Sequence, residues 1–284
     1  MKKYNKPFLF FGLSLLIPWI LWFTVAYLSH KADNNYLVLQ GILELTGLLA
    51  PALVAAYLFL SDKDLLADLK KRFFGTPIST GKYLWITLLL PPLSIVLAQL
   101  LSLCFGHSID QFYISGKPSF TSQPFSPWFL LAFAPIAEEL AWHSYGTDAL
   151  RQRFSLFKTS VLFAIYWGFW HLPLFFVKGY YQSDVQAEGL IYTLNFVISL
   201  FVFVIIMNWL YFKTNRNVMI AILFHLVANI SNEIFATHPD SKIIQSAIFV
   251  IICMYLLITD KKLFFEKQFS NPQASKQAST PEKI

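Results

Sequence analysis

The chain has 284 residues, of which 56% are hydrophobic and only 13% charged, with a mean hydropathy of +0.53. Soluble domains carry about 25% charged residues, so this composition excludes an ordinary water-soluble globule and points to an all-α, polytopic membrane bundle. The net charge of +6 lies in short loops between apolar runs, where it sets orientation in the membrane, and it gives no reason to expect nucleic acid as a partner.

Lys2, Lys3 and Lys6 precede an apolar run from about Phe8 to Leu28. A cleavable signal has an apolar part of only about 7–15 residues. This run is longer, contains Trp19 and Trp22, and has no small-residue cleavage site, so it is expected to be a retained span. A second run extends from about Tyr36 to Leu60. The stretch Ser61 to Phe74 then spaces apolar residues at helical intervals among charges, the pattern of an amphipathic helix on the cytoplasmic surface, with the basic residues around Lys70 contacting lipid headgroups.

The third run, about Tyr83 to Phe105, contains Pro91 and Pro92, which kink or break a helix unless its neighbours satisfy the freed carbonyls. A polar loop from His107 to about Pro127 leads to the fourth run, Trp128 to about Leu150, with Glu138 and Glu139 inside it. Beyond Arg151, Arg153 and Lys158 a fifth run reaches about Val177. A sixth covers Leu190 to Phe212, a seventh Val218 to Phe235 and an eighth Ile244 to Leu257. About eight transmembrane helices are therefore expected: three in residues 1–127, a core in 128–259, and a disordered cytoplasmic tail in 260–284. Cys104 and Cys253 sit in apolar stretches without metal-type spacing and read as packing residues.

With the N-terminus in the cytoplasm, Lys31, Lys117, Lys178 and Lys242 fall outside and the other 18 of the 22 Lys and Arg residues inside. This asymmetry supports an even number of spans in a plasma membrane with both termini cytoplasmic. If the fourth run were re-entrant, Arg151 and Arg153 would move outside and the bias would weaken.

Ionisable groups at bilayer depth cost about 2.5–3.5 kcal/mol each on insertion scales, so each is a functional hypothesis. Glu138, His171 and Asn229 each lie thirteen positions from a cytoplasmic basic residue, roughly 20 Å at helical rise, and His225 lies nine away, roughly 14 Å. Three runs thus place polar groups in one band. His225 and Asn229 share a helical face, as do Glu139 and His143, whereas the adjacent Glu138 and Glu139 point about 100° apart and are expected to have different jobs. Such a set suits water activation. A dehydrated carboxylate can take a proton from water, imidazoles can orient the water, hold a metal or shuttle protons, and an amide can donate to a developing oxyanion. Glu138, His171 and His225 would also serve as zinc ligands, although the His-Glu-x-x-His helix of the zinc proteases is absent.

Glu138-Glu139-x-x-x-His143, then Trp167-x-x-x-His171, then His225-x-x-x-Asn229 resembles the CAAX protease and bacteriocin-processing (CPBP, or Abi) family of intramembrane proteases, which includes the type II CAAX prenyl endopeptidases. The resemblance covers roughly Trp128 to Asn232. It implies an endopeptidase acting on a peptide or membrane-anchored protein, with Glu138 as general base, His171 and His225 positioning the water or stabilising the transition state, and Asn229 in the oxyanion hole. A metal-independent reaction is favoured, with no cofactor, and zinc is the other reading of the same residues. His143 stands where the family has arginine. If that arginine is structural, a Glu139–His143 pair can replace it with a pH dependence; if it is catalytic, this chain is a weakened or inactive member.

Two further function classes stay open: a non-catalytic bacteriocin-immunity or scaffolding membrane protein, and a proton-coupled transporter, against which the sequence shows no inverted repeat. Glu44 is expected to be a buried pairing partner, and Glu233 and His238 to be interfacial residues at the outer end of the seventh run.

Overall fold

The computed structural model describes residues 3–31, 36–74, 81–120 and 125–267. Its helices are α1 (Pro7–Ser29), α2 (Leu37–Leu60), α3 (Lys63–Phe74), α4 (Lys82–Leu103), α5 (Pro127–Ala141), α6 (Thr147–Arg151), α7 (Leu156–Trp170), α8 (Tyr181–Glu188), α9 (Leu190–Lys213), α10 (Val218–Ile234), α11 (Pro239–Thr259) and α12 (Lys261–Phe265). Among the described residues there is no β-strand, only an isolated bridge between Ile114 and Phe235. The chain is a polytopic all-α bundle. The disordered tail expected over 260–284 lies outside the described residues from position 268 onward, and its first part instead forms α12.

Six helical segments are long and apolar enough to cross a membrane: α1, α2, α4, α7 with the turn that extends it to Phe176, α9 and α11. The remaining two of the eight expected runs are shorter, α5 with 15 residues and α10 with 17. These two helices carry Glu138, Glu139, His225 and Asn229. Pro91 and Pro92 do not break α4, which runs through both of them.

Aromatic side chains fill the space between α1, α2 and the site-bearing helices. Trp22, Trp142 and Trp170 are buried and meet edge to face, with ring centroids 4.6 Å apart for Trp22–Trp170 and 5.5 Å for Trp142–Trp170. Such pairs contribute about 0.5–1.5 kcal/mol beyond the area they bury. Trp22 reaches this position because Gly47 has no Cβ, which would collide with the indole, and its N–H donates to the Glu44 carbonyl at 3.1 Å.

The hydrogen bonds that tie the loops together sort into two ends. At one end, Arg153 donates to the Tyr4 carbonyl (3.0 Å), Arg151 to the Glu266 carbonyl (3.1 Å), and Arg216 to Asp68 and Asp148. At the other, the Lys178 amide donates to Ser29 Oγ (3.1 Å) and Lys242 to Glu233 (3.0 Å). The loops carrying Arg151, Arg153 and Arg216 thus lie at one end of the bundle and those carrying Lys178 and Lys242 at the other.

Candidate active site

The fourth run is not one continuous α-helix. After α5, residues Trp142–Gly146 form a π-helical turn, and α-helix resumes as α6. A π-turn displaces the regular hydrogen-bond ladder and frequently marks a functional site. Here the carbonyls it redirects have dedicated partners. His143 O accepts from Arg72 Nη1 (3.0 Å) and from the Tyr211 hydroxyl (2.8 Å), and Ser144 O accepts from Arg72 Nη2 (2.8 Å).

The two carboxylates diverge, as their adjacency on α5 requires. Glu138 Oε2 accepts both the Trp142 indole N–H (3.2 Å) and the Trp167 indole N–H (2.9 Å). Among the described residues Oε1 makes no hydrogen bond, and Glu138 lines a cavity of about 230 Å³. Glu139 is fully buried and faces away from that cavity. Its Oε2 is bonded to His143 Nδ1, and its Oε1 accepts from His225 Nδ1 at 2.8 Å. The expected Glu139–His143 pair is present, and the same carboxylate also takes His225, so it holds two histidines from two helices.

His143 Nε2 faces Asn208 Oδ1 at 2.9 Å, and the Asn208 amide is oriented by donating to Ser160 Oγ at 2.9 Å. Both ring nitrogens of His143 face oxygen acceptors, a pair of bonds made in full when the ring carries a hydrogen on each nitrogen.

His171 closes α7 and donates Nδ1–H to the Trp167 carbonyl (2.7 Å). His225 donates its Nδ1–H to Glu139, so in each ring the lone pair of the neutral form lies on Nε2. Asn229, one turn along α10 from His225, makes no side-chain hydrogen bond among the described residues. Glu138, Trp167, His171, His225 and Asn229 all line the same cavity. The four residues expected to carry the chemistry are therefore brought together, and Glu139 and His143 lie behind them as support.

The profile of the family described as Type II CAAX prenyl endopeptidase Rce1-like matches residues 121–231, which include all six of these residues. The chain is also 38% identical over 267 residues to "CAAX prenyl protease 2" of Methanococcus maripaludis, covering 93% of this chain and 97% of the relative. The chain belongs to the CAAX prenyl protease family. It is accordingly a multi-pass membrane protein of a peptidase family.

One residue outside those motifs completes the site. Arg72, on α3, is 3% exposed, and besides the two π-turn carbonyls it contacts Asp148 (3.0 Å) and Asp68 (3.0 Å). Tyr4, Tyr211 and Arg216 close the same network, with Arg216 2.7 Å from Asp148 and 2.9 Å from Asp68. This corrects the reading of the whole basic stretch as a headgroup contact, since Lys70 and Lys71 are exposed but Arg72 turns inward. A signal existed in the sequence. Leu65, Asp68 and Arg72 fall on one helical face, and that face is buried. Burial alone pushes the Asp68 carboxyl up, but the Tyr4 hydroxyl, Arg216 and Arg72 outweigh it and hold the group below the usual carboxylate range.

Three further residues singled out in the sequence are placed as follows. Glu233 is buried at 4% exposure and accepts from the Ser119 amide (2.7 Å) and from Lys242. Glu44 is not a pairing partner: its Oε2 is buried without a hydrogen bond, and it forms no ion pair among the described residues. His238 is exposed and caps α11 by accepting the Asp240 N–H. With His107 and Asp240 it forms the one His/Cys/Asp/Glu trio among the described residues whose ligand atoms all lie within 4.8 Å. Glu138, His171 and His225 are spread more widely than that. The donors of a tetrahedral zinc site, with bonds of about 2.0–2.2 Å, stand roughly 3.3 Å apart, so these three do not fit a zinc ion as they are placed.

Proposed function

We propose that the protein is an intramembrane endopeptidase that hydrolyses a peptide bond in a membrane-associated protein or peptide by glutamate-activated water, in a plasma membrane with both termini cytoplasmic. The observation that carries this reading is the division of labour at Glu138. One oxygen is pinned by two indole N–H groups, and the other is left toward a cavity shared with two histidines and an asparagine.

Each role follows from what its atom can do. Glu138 Oε1 takes one proton from a water whose other hydrogen is accepted by the Nε2 lone pair of His171 or His225, and the hydroxide adds to the scissile carbonyl carbon. Asn229 Nδ2 donates to the oxyanion that forms, where a fixed donor in a water-poor site is most effective. Glu138 returns the proton to the departing amine as the C–N bond breaks, leaving a free amine and a new carboxylic acid that then loses its proton to solvent. Trp142 and Trp167 fix the carboxylate, and the Glu139–His225 bond fixes the imidazole, so little reorganisation is needed at the moment of reaction. The spacing of the donors supports the metal-independent form of this reaction over the zinc form.

The name of the archaeal relative brings a prenylated CAAX-type C terminus to this chain as the first substrate to try. Purified protein in detergent should release a C-terminal fragment from a farnesylated CAAX peptide, detected by mass spectrometry, and Glu138→Ala should abolish that release. Equal cleavage by the variant would overturn the reading.

A further inference from the structure

Pro239 begins α11, and the residues on either side of it, His238 and Asp240, meet a third side chain, His107, from just beyond the C-terminal end of α4. His107 Nε2 lies 3.2 Å from Asp240 Oδ2, and His238 Nδ1 lies 3.6 Å from the same oxygen. The two imidazoles stand side by side with ring centroids 4.2 Å apart. One ligand atom from each of the three residues lies within 4.8 Å of the others. Donors of a tetrahedral zinc site stand roughly 3.3 Å apart, so both contacts to Oδ2 are already at metal-ligand spacing.

The surrounding fold holds each of these side chains in place. The chain leaves α4 through a Schellman turn: Gly106 takes φ +87°, its N–H donates to the Leu103 carbonyl (3.1 Å), and the His107 N–H donates to the Ser102 carbonyl (3.3 Å). This fixes where His107 departs from the helix. His238 precedes a proline, which favours its extended backbone (φ −64°, ψ 141°), and Pro239 at the first helical position sets the path to Asp240. Thr237 Oγ1 accepts from Gln99 Nε2 of α4 at 2.8 Å, so the two helix ends are brought together without any ion. Asp240 Oδ1 accepts the hydroxyl of Tyr192 on α9 at 2.8 Å, which leaves Oδ2 toward the imidazoles. A bond of this kind to the other oxygen steadies a carboxylate that binds metal.

We propose that His107, His238 and Asp240 form a zinc site that clasps the end of α4 to the start of α11. Two imidazoles and one carboxylate suit a borderline cation such as zinc, whereas magnesium and calcium take oxygen ligands. His107 binds through Nε2 and His238 through Nδ1, which gives up its 3.2 Å hydrogen bond from the Asp240 N–H. A proton on either donor nitrogen is released or moves to the other nitrogen of its ring as the metal binds. The side chains of His107, His238 and Asp240 are 21%, 46% and 42% exposed, so water reaches the fourth position. None of the three lines the cavity that holds Glu138, and the clasp therefore serves stability and takes no part in peptide hydrolysis.

The test uses tag-free protein in detergent, stripped with a chelator and titrated with zinc in competition with a chromophoric chelator. One zinc should bind per chain. Tyr192→Phe, which removes only the orienting hydroxyl, should weaken binding by about 10–100-fold, and His107→Ala or Asp240→Asn should weaken it at least as much. Zinc at about 100 times its dissociation constant should raise the thermal midpoint of wild type by roughly 5 °C and leave that of His107→Ala unmoved. His107→Ala without metal should melt close to metal-free wild type, since the residue is partly exposed and its backbone is held by the turn. Absence of zinc binding by folded wild-type protein, or unchanged binding by His107→Ala and Asp240→Asn, overturns the proposal. Zinc that is lost on His171→Ala and kept by His107→Ala would belong to the Glu138 cavity and overturns it as well.

Discussion

Glu139 Oε1 accepts a 2.8 Å hydrogen bond from Nδ1 of His225, a residue 86 positions further along the chain, while its Oε2 is bonded to His143. One fully buried carboxylate therefore sets the distance between α5 and α10 and decides which nitrogen of His225 is left for the cavity. Removing one partner of a buried charged pair costs about 3–5 kcal/mol, because the other is left uncompensated. Glu139→Gln should accordingly lower the thermal midpoint markedly in detergent and also reduce kcat. Nanoscale fluorimetry and peptide cleavage on the same preparation check this, and a variant with unchanged midpoint would show that the bond is not structural.

Arg72 supports the π-turn from outside the recognised motifs. A lysine keeps the charge but cannot serve two carbonyls and two carboxylates with one planar fork. Arg72→Lys should therefore destabilise the protein by about 2 kcal/mol or more, as expected when buried acceptors lose their donor. Lys71→Ala, at an exposed neighbouring position, should stay within about 0.5 kcal/mol of wild type. The paired thermal midpoints decide between them.

The same network gives an acid limit. Asp68 is held below the ordinary carboxylate range in the folded protein, so its contribution to stability is present above the unfolded value of about 3.9 and is lost as pH falls through the lower folded value. Asp68→Asn should be less stable than wild type at neutral pH, and the difference should shrink as the pH falls below about 4. Thermal midpoints measured over that range check the sign.

Chelation separates the two chemistries open to Glu138, His171 and His225. With their donors too widely spread for zinc, dialysis against EDTA and phenanthroline should leave kcat/KM within about twofold of the untreated enzyme, where loss of a resident metal would remove several kcal/mol of transition-state stabilisation. Restoration of lost activity by added zinc would contradict this.

The helices were legible in the sequence because a span announces itself by about 20 apolar residues, and the site band was legible because His171, His225 and Glu138 are costly at that depth. What one sequence leaves open is direction. Spacing puts Glu138 and Glu139 on different sides of α5, yet nothing in it says that His225 turns to Glu139 and that Trp142 and Trp167 hold Glu138. The π-turn over Trp142–Gly146 contains no proline and a single glycine at its end, and what holds it, Arg72 and Tyr211, comes from distant helices. The partners of Glu233 were hidden for a similar reason: its place in the chain does not say that the Ser119 loop folds over it. Arg72 was the legible miss, because its place on the Leu65 face of α3 could have been read from spacing.

The separation of roles between the paired carboxylates is tested most directly by comparing Glu138→Gln with wild type on one substrate, with kcat and thermal midpoint measured together. Glutamine keeps an acceptor for the two indoles but cannot take a proton, so kcat should fall by about 10²-fold or more, the typical contribution of a general base, while the midpoint stays close to that of wild type. Near-normal kcat in a well-folded Glu138→Gln protein would contradict the assignment of Glu138 as the base.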